Sequence, residues 1–245
     1  MTSRICCLAL VVGGGLGIAP APTASSVVPD RAVTRTMIAG LSVDRRPIEL
    51  IERGDPDSPT KTLVVGCIHG DETAGIAVAE KLESTPLPRE TNLWIVENAN
   101  PDGVAAGTRT NAHGVDLNRN FPWHWRPYGQ LGNRHYSGPH ALSEPESSLL
   151  ARLVLQLRPS VSIWFHQPYG LVDESGGDRA LEGRFAAVAG LPLRRLTRYP
   201  GGVTNWENAR MPGSTAFVVE LPGGAPAPSL IAKLIDAVGS VTSRS

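Results

Sequence analysis

The stretch Gly66-Cys67-Ile68-His69-Gly70-Asp71-Glu72 sets an imidazole and a carboxylate three residues apart, directly after the apolar run Leu63-Val64-Val65. His166 closes a second apolar run, Ile163-Trp164-Phe165-His166, far along the chain. Two histidines and one glutamate are a donor set suited to Zn2+ with one position left for water, as in catalytic rather than structural sites. One Zn2+ held by His69, Glu72 and His166 is therefore expected, and with it a hydrolase. A His-x-x-Glu pair alone is common by chance. Its company gives it weight: Glu220 lies in a third apolar run, Ala216-Phe217-Val218-Val219-Glu220-Leu221. His69, His166 and Glu220 thus stand at or beside the C-terminal ends of separate apolar runs, the edge at which open α/β sheets bind ligands.

Elements must bring these residues together. Pro47-Ile48-Glu49-Leu50-Ile51 alternates like an edge strand. A strand over 62–67, a helix over 72–83 with Ile76, Ala79 and Leu82 at helical spacing, and the strand Leu93-Trp94-Ile95-Val96 form a parallel strand-helix-strand unit. Residues 98–142 are rich in Asn, Gly, Pro, His and aromatics and are too long for a plain connection, so they are expected to carry function. Ser143-Glu144-Pro145-Glu146 reads as a capping box, the Ser143 hydroxyl accepting from the Glu146 backbone while the Glu146 carboxylate reaches back. That helix continues over 149–157. A buried strand over 161–165, a helix over 179–189, a loop at Tyr199-Pro200-Gly201-Gly202, a core strand over 216–221 and an amphipathic helix over 229–241 complete the chain. The fold class expected is a single α/β domain, its mixed and largely parallel β-sheet flanked by helices.

With 245 residues, 41% of them hydrophobic, the chain is long enough for one core-bearing domain. Lys plus Arg and Asp plus Glu both number 23, so no net field recruits nucleic acid or an anionic membrane. Arg4, the apolar run over 5–19 and the small residues over 20–26 read as an export signal cleaved near Ala24. The run is shorter than the ~20 residues of a spanning helix, which disfavours a membrane anchor. The expected organisation is a signal peptide over 1–24, an arm over 25–45 and a catalytic domain over 46–245, in a secreted or extracytoplasmic protein of the bacterial envelope. Signal removal would take Cys6 and Cys7, leaving Cys67 as a buried core residue and excluding a disulfide framework. The remaining histidines, His113, His124, His135 and His140, have no ligand spacing and are read as exposed or ordinarily hydrogen-bonded.

The chain resembles the zinc carboxypeptidases, the carboxypeptidase A-like metallopeptidases. The likeness rests on His69-Gly70-Asp71-Glu72, Asn100-Pro101-Asp102-Gly103, Gly114-Val115-Asp116-Leu117-Asn118-Arg119-Asn120, Ser143-Glu144-Pro145-Glu146, the isolated His166 and the run around Glu220, in family order over 45–222. It implies a carboxypeptidase-like fold and roles for individual residues. His69, Glu72 and His166 would hold zinc, and Glu220 would act as general base and acid. Arg109 would polarise the scissile carbonyl. Asn118 and Arg119 would receive the substrate's terminal carboxylate, for which the planar guanidinium fork is suited. Asp116 would orient the first histidine, and Tyr199 would close over the substrate, although its loop is shorter here. Thr204 or Asn205 would reach the side-chain pocket without supplying charge.

Within the family the chain is most similar to the murein peptide amidase subgroup, compact and without a prodomain. This implies cleavage of the γ-D-glutamyl–diaminopimelate amide in cell-wall peptides by a monomer whose partner is a peptide with a free C-terminal carboxylate. The export signal departs from that subgroup. The alternatives are a carboxypeptidase releasing neutral L-residues, in keeping with an uncharged pocket; an N-acyl amino acid deacylase; and a wall-binding module that does not turn over, which Glu220 argues against.

Overall fold

The computed structural model describes Met1 and residues 32–88 and 90–242. The export signal expected over 1–24, Cys6 and Cys7 included, lies outside the described residues apart from Met1, as does the start of the arm over 25–45. Residues Arg31–Ser245 form one compact unit. Among the described residues, eight strands build one sheet: β1 (Val33–Leu41), β2 (Pro47–Gly54), β3 (Lys61–Val65), β4 (Asn92–Val96), β5 (Val161–His166), β6 (Tyr169–Asp173), β7 (Leu193–Arg194) and β8 (Thr215–Pro222). Their order is β1-β2-β4-β3-β5-β8-β6-β7. The central β4, β3, β5 and β8 run parallel, while β2 joins β4 and β6 joins β8 in antiparallel fashion. The expected mixed, largely parallel α/β sheet is therefore present.

Side chains alternate across this sheet, and the two faces hold two cores. Val64, Ile163, Phe165, Phe217 and Val219 face α1 (Ala74–Ser84), α4 (Arg179–Ala189) and α6 (Pro228–Thr242). Leu63, Val65, Trp164 and Val218 face α3 (Pro145–Leu157), α5 (Val203–Arg210) and Phe121 of the long polar segment. A short helix, α2 (Pro101–Ala106), opens that segment, with the Asn100 side chain accepting from the Gly103 amide at 2.9 Å.

Two expectations are corrected. Residues 33–41, read as part of an arm, form β1 at the sheet edge, so β2 lies one strand inward. Most β1 side chains are exposed, which leaves no apolar alternation to read. The capping box does not form. Glu144 is the N-cap of α3 without a side-chain cap bond, and Pro145 opens the helix. The Ser143 hydroxyl instead donates to Glu144 at 2.6 Å, and Glu146 accepts from the Val43 amide at 3.0 Å and from Asn111 at 3.0 Å.

These acids serve to tether the long polar segment. Asn111 Nδ2 also donates to Glu144 at 2.8 Å, and fully buried Asn120 donates to the Ser137 and His140 carbonyls at 2.8 and 2.9 Å. Asn120 Oδ1 accepts from the Ser147 hydroxyl on α3. Asn120→Ala would strand several of these groups, each costing about 1–3 kcal/mol when left buried and unpaired. The expected loss is about 3 kcal/mol or more in urea unfolding, with faster proteolytic cutting between residues 120 and 144. Unchanged stability would show that the segment is held elsewhere.

Candidate metal centre

The chain leaves β3 and turns to α1 and β4 on one side, then later places β5 on the other side of β3. A crevice opens where strand order reverses in this way, at the C-terminal ends of the strands. His69 and Glu72 lie in the turn between β3 and α1, and His166 ends β5. Gly70 lets this turn sit against α2, since a Cβ there would overlap the Gly103 backbone. His166 and Glu220 are register partners on neighbouring β5 and β8 and therefore share a sheet face.

Nδ1 of His69, Oε2 of Glu72 and Nδ1 of His166 converge. His69 lies 3.0 Å from Glu72 and 3.0 Å from His166, and His166 lies 2.9 Å from Glu72. All three residues are buried. The other His69 nitrogen, Nε2, lies 3.0 Å from Asp116 Oδ1. A carboxylate can only accept there, so Nε2 carries a proton, and in the neutral form of the ring Nδ1 presents a lone pair. The pocket then holds two imidazole nitrogens and a carboxylate oxygen with at most one proton among them. That donor set fits a cation, and Zn2+ among cations by its nitrogen and oxygen ligands. Burial disfavours charge on Glu72, but the His69 and His166 imidazoles packed against it hold its carboxyl well below the usual range.

Asp116 is fully buried beneath this cluster. Its Oδ2 accepts from Arg109 Nε at 2.9 Å and lies 3.2 Å from His135 Nδ1. Burial opposes its ionisation, yet Arg109 and His69 nearby keep the carboxyl well below its ordinary value. Arg109 also donates to Glu72 Oε1 at 2.7 Å, so one guanidinium spans both acids. Burial works against its charge, but Asp116 and Glu72 raise its pKa.

A cavity of about 520 Å³ opens over the cluster and is lined by Arg109, Arg119, Tyr199 and Glu220 as well as by the three converging residues. Glu220 Oε2 is buried there without a hydrogen-bond partner among the described residues. Burial is the main cause raising the Glu220 carboxyl above its ordinary value. Asn118 Oδ1 accepts from the Val203 amide at 2.9 Å, which leaves its amide nitrogen on the cavity wall. The Arg119 guanidinium stacks 4.6 Å from the Tyr199 ring centroid. Gly201 makes that approach possible: its φ is +77°, and a Cβ would run into the Arg119 carbonyl.

All nine residues singled out from the sequence, His69, Glu72, Arg109, Asp116, Asn118, Arg119, His166, Tyr199 and Glu220, thus gather in or directly beneath one cavity. His135, read as exposed or ordinarily hydrogen-bonded, is half-exposed and hydrogen-bonded; its partner is Asp116, and it lines the cavity. Sequence reasoning also expected an uncharged side-chain pocket, but Arg198 and Asp173 line the same cavity. Spacing signals none of the three: His135 and Arg198 come from irregular segments, and Asp173 ends the short strand β6. Cys67 stands apart from the donor set. Its thiol donates to the His69 carbonyl at 3.0 Å and is pushed up to about 12, first by burial and then by Glu72.

The zinc carboxypeptidase family model matches residues 29–172, and the chain belongs to that family. Murein peptide amidase A of Vibrio campbellii is 32% identical over 181 residues, covering 68% of this chain and 71% of that protein. Murein peptide amidase A of Escherichia coli K12 is 31% identical over 158 residues, which cover 59% of this chain and 64% of the relative, a little under two thirds of its length. Among solved structures, the murein-tripeptide amidase of Escherichia coli O157 is 25% identical with a TM-score of 0.68, over 87% of this chain and 94% of that one. The carboxypeptidase A of Helicoverpa armigera shares the fold at a TM-score of 0.73 and 17% identity, over 85% of this chain and 68% of that one. Within the family the chain therefore stands with the murein peptide amidases.

Proposed function

We propose that the protein is an exported zinc metallocarboxypeptidase that hydrolyses the γ-D-glutamyl–diaminopimelate amide of wall peptides. The observation that carries this reading is the convergence of His69, Glu72 and His166 in one cavity with Glu220, Arg109 and Arg119. In it His69, Glu72 and His166 hold the ion, and Asp116 fixes the His69 ring through Nε2. Zinc bound there would make water acidic enough to yield its proton near neutral pH.

Glu220 would take that proton on Oε2, which has no hydrogen-bond partner among the described residues, and return it to the leaving amine. Arg109, held by Glu72 and Asp116, offers its positive charge to the scissile carbonyl oxygen as negative charge develops on it. Arg119 and Asn118 bind the terminal carboxylate, the guanidinium supplying a two-oxygen fork and the Asn118 amide a further donor. Tyr199, stacked on Arg119, covers the bound end of the peptide. The substrate is thus a peptide with a free C-terminus, processed by a monomer outside the cytoplasm after the signal is removed. The murein peptide amidases among its relatives support the wall-peptide bond in particular.

Incubating the purified protein with L-Ala-γ-D-Glu-diaminopimelate is expected to release diaminopimelate, detected by mass spectrometry, and a chelator should stop the release. Absence of product in the zinc-loaded sample would reject the wall-peptide bond. Hydrolysis of α-linked peptides alone would return the protein to the general carboxypeptidases.

A further inference from the structure

Asp173 ends β6 two residues after Leu171, and Leu171 is the register partner of Glu220 on β8. Residues two apart on a strand share a face about 7 Å apart, so Asp173 sits on the Glu220 face, one step further along β6. It is 3% exposed, and both of its oxygens accept hydrogen bonds. Oδ1 accepts from the Leu196 amide at 2.8 Å, while Oδ2 accepts from the Ser175 hydroxyl and from Arg198 Nη1, each at 2.7 Å. Arg198 Nη1 also donates to the Leu196 carbonyl at 3.3 Å, and Nη2 donates to the Glu174 carbonyl. The guanidinium is therefore anchored on both terminal nitrogens. The hydrogen bonds it makes with the described residues all come from Nη1 and Nη2, which leaves Nε–H and one hydrogen of Nη2 to spare.

A fixed arginine with an unspent edge in the cavity wall matches a carboxylate, which it can bind through two parallel hydrogen bonds. Arg119 is already suited to the terminal carboxylate, so a second fixed guanidinium calls for a second carboxylate. Asp173 has no free oxygen edge to offer an ammonium group. We propose that Arg198, positioned by Asp173, selects a released residue whose side chain bears a carboxylate, and so separates diaminopimelate from lysine, which differ by that carboxylate. The inference rests on the wall-peptide reading for the identity of the residue, not for the chemistry of the pocket.

The test compares zinc-loaded wild type, Arg198→Gln and Arg198→Lys on L-Ala-γ-D-Glu peptides ending in diaminopimelate or L-lysine, and on α-linked peptides ending in glutamate or glutamine. Wild type should favour diaminopimelate by about 10–100-fold in kcat/KM, the scale of a hydrogen-bonded charge pair. Arg198→Gln, which still donates to Asp173, should erase that preference through a higher KM for the diaminopimelate peptide, with kcat and the lysine peptide little changed. Arg198→Lys, keeping charge without the fork, should fall between. Calorimetric titration with free diaminopimelate and free lysine reads the same preference without turnover and serves if either variant folds poorly.

Equal use or equal binding of the two residues by wild type would overturn the assignment, as would a preference that survives in folded Arg198→Gln. If only α-linked peptides are cut, and glutamate is favoured over glutamine in an Arg198-dependent way, the wall-peptide reading falls while the role of Arg198 stands.

Discussion

Glu220→Gln is expected to keep zinc at one ion per chain and to lose hydrolysis by about 100-fold or more, the scale of a general acid-base group. Glutamine preserves the shape of a residue that is 8% exposed and faces the cavity with no partner for Oε2 among the described residues, but it cannot accept the proton of the attacking water. Folding gives the control. A carboxyl whose folded-state pKa lies above its unfolded value costs stability once pH exceeds the unfolded value, because the folded chain then retains a proton that the unfolded chain has released. Burial raises Glu220 in this sense. Without zinc, the variant should therefore be as stable as wild type, or more so, at neutral pH. Single-turnover assays with metal analysis decide the matter, and unchanged turnover would remove Glu220 from the reaction.

The second large effect belongs to His166. Zinc present at about a thousandfold over its Kd should stabilise the folded protein by about 4 kcal/mol, a rise of roughly 8–16 °C in Tm for a chain of this size. His166→Ala removes one of the three converging ligands and leaves His69 facing Glu72 alone. Most of the zinc-dependent rise in Tm should vanish, stoichiometric zinc should be lost on dialysis, and wall-peptide hydrolysis should fall with it. Full zinc binding by this variant would mean that the ion sits elsewhere.

Much of this arrangement was legible in the sequence because the site residues end apolar runs. Leu63-Val64-Val65 and Ile163-Trp164-Phe165 announce β3 and β5, and the residues that follow inherit their position at the sheet edge. The motif around Asp116 was legible only through its likeness to the family, since its own secondary structure is a single 3-10 turn, Leu117–Arg119. What escaped was set by long-range pairing. β1 lacks alternation because it is held by β2 and largely bathed in solvent. The Ser143 segment has the letters of a cap, yet Asn111, Asn120 and the Val43 amide compete for the same side chains from 23 to 103 positions away. Arg198 has no local signature at all, since its meaning comes from Asp173, 25 residues earlier.

His69 and His166 are separated by 97 positions, and each depends on a different central strand. Bringing such distant segments together costs loop-closure entropy that a few coordination bonds would have to repay in an unstructured polypeptide. A cation bound there would therefore join a crevice that the strands assemble without it, unlike the ion of a zinc finger, which nucleates its own domain. Were the chain exported as proposed, it would cross the membrane metal-free and take up zinc in the compartment where it folds.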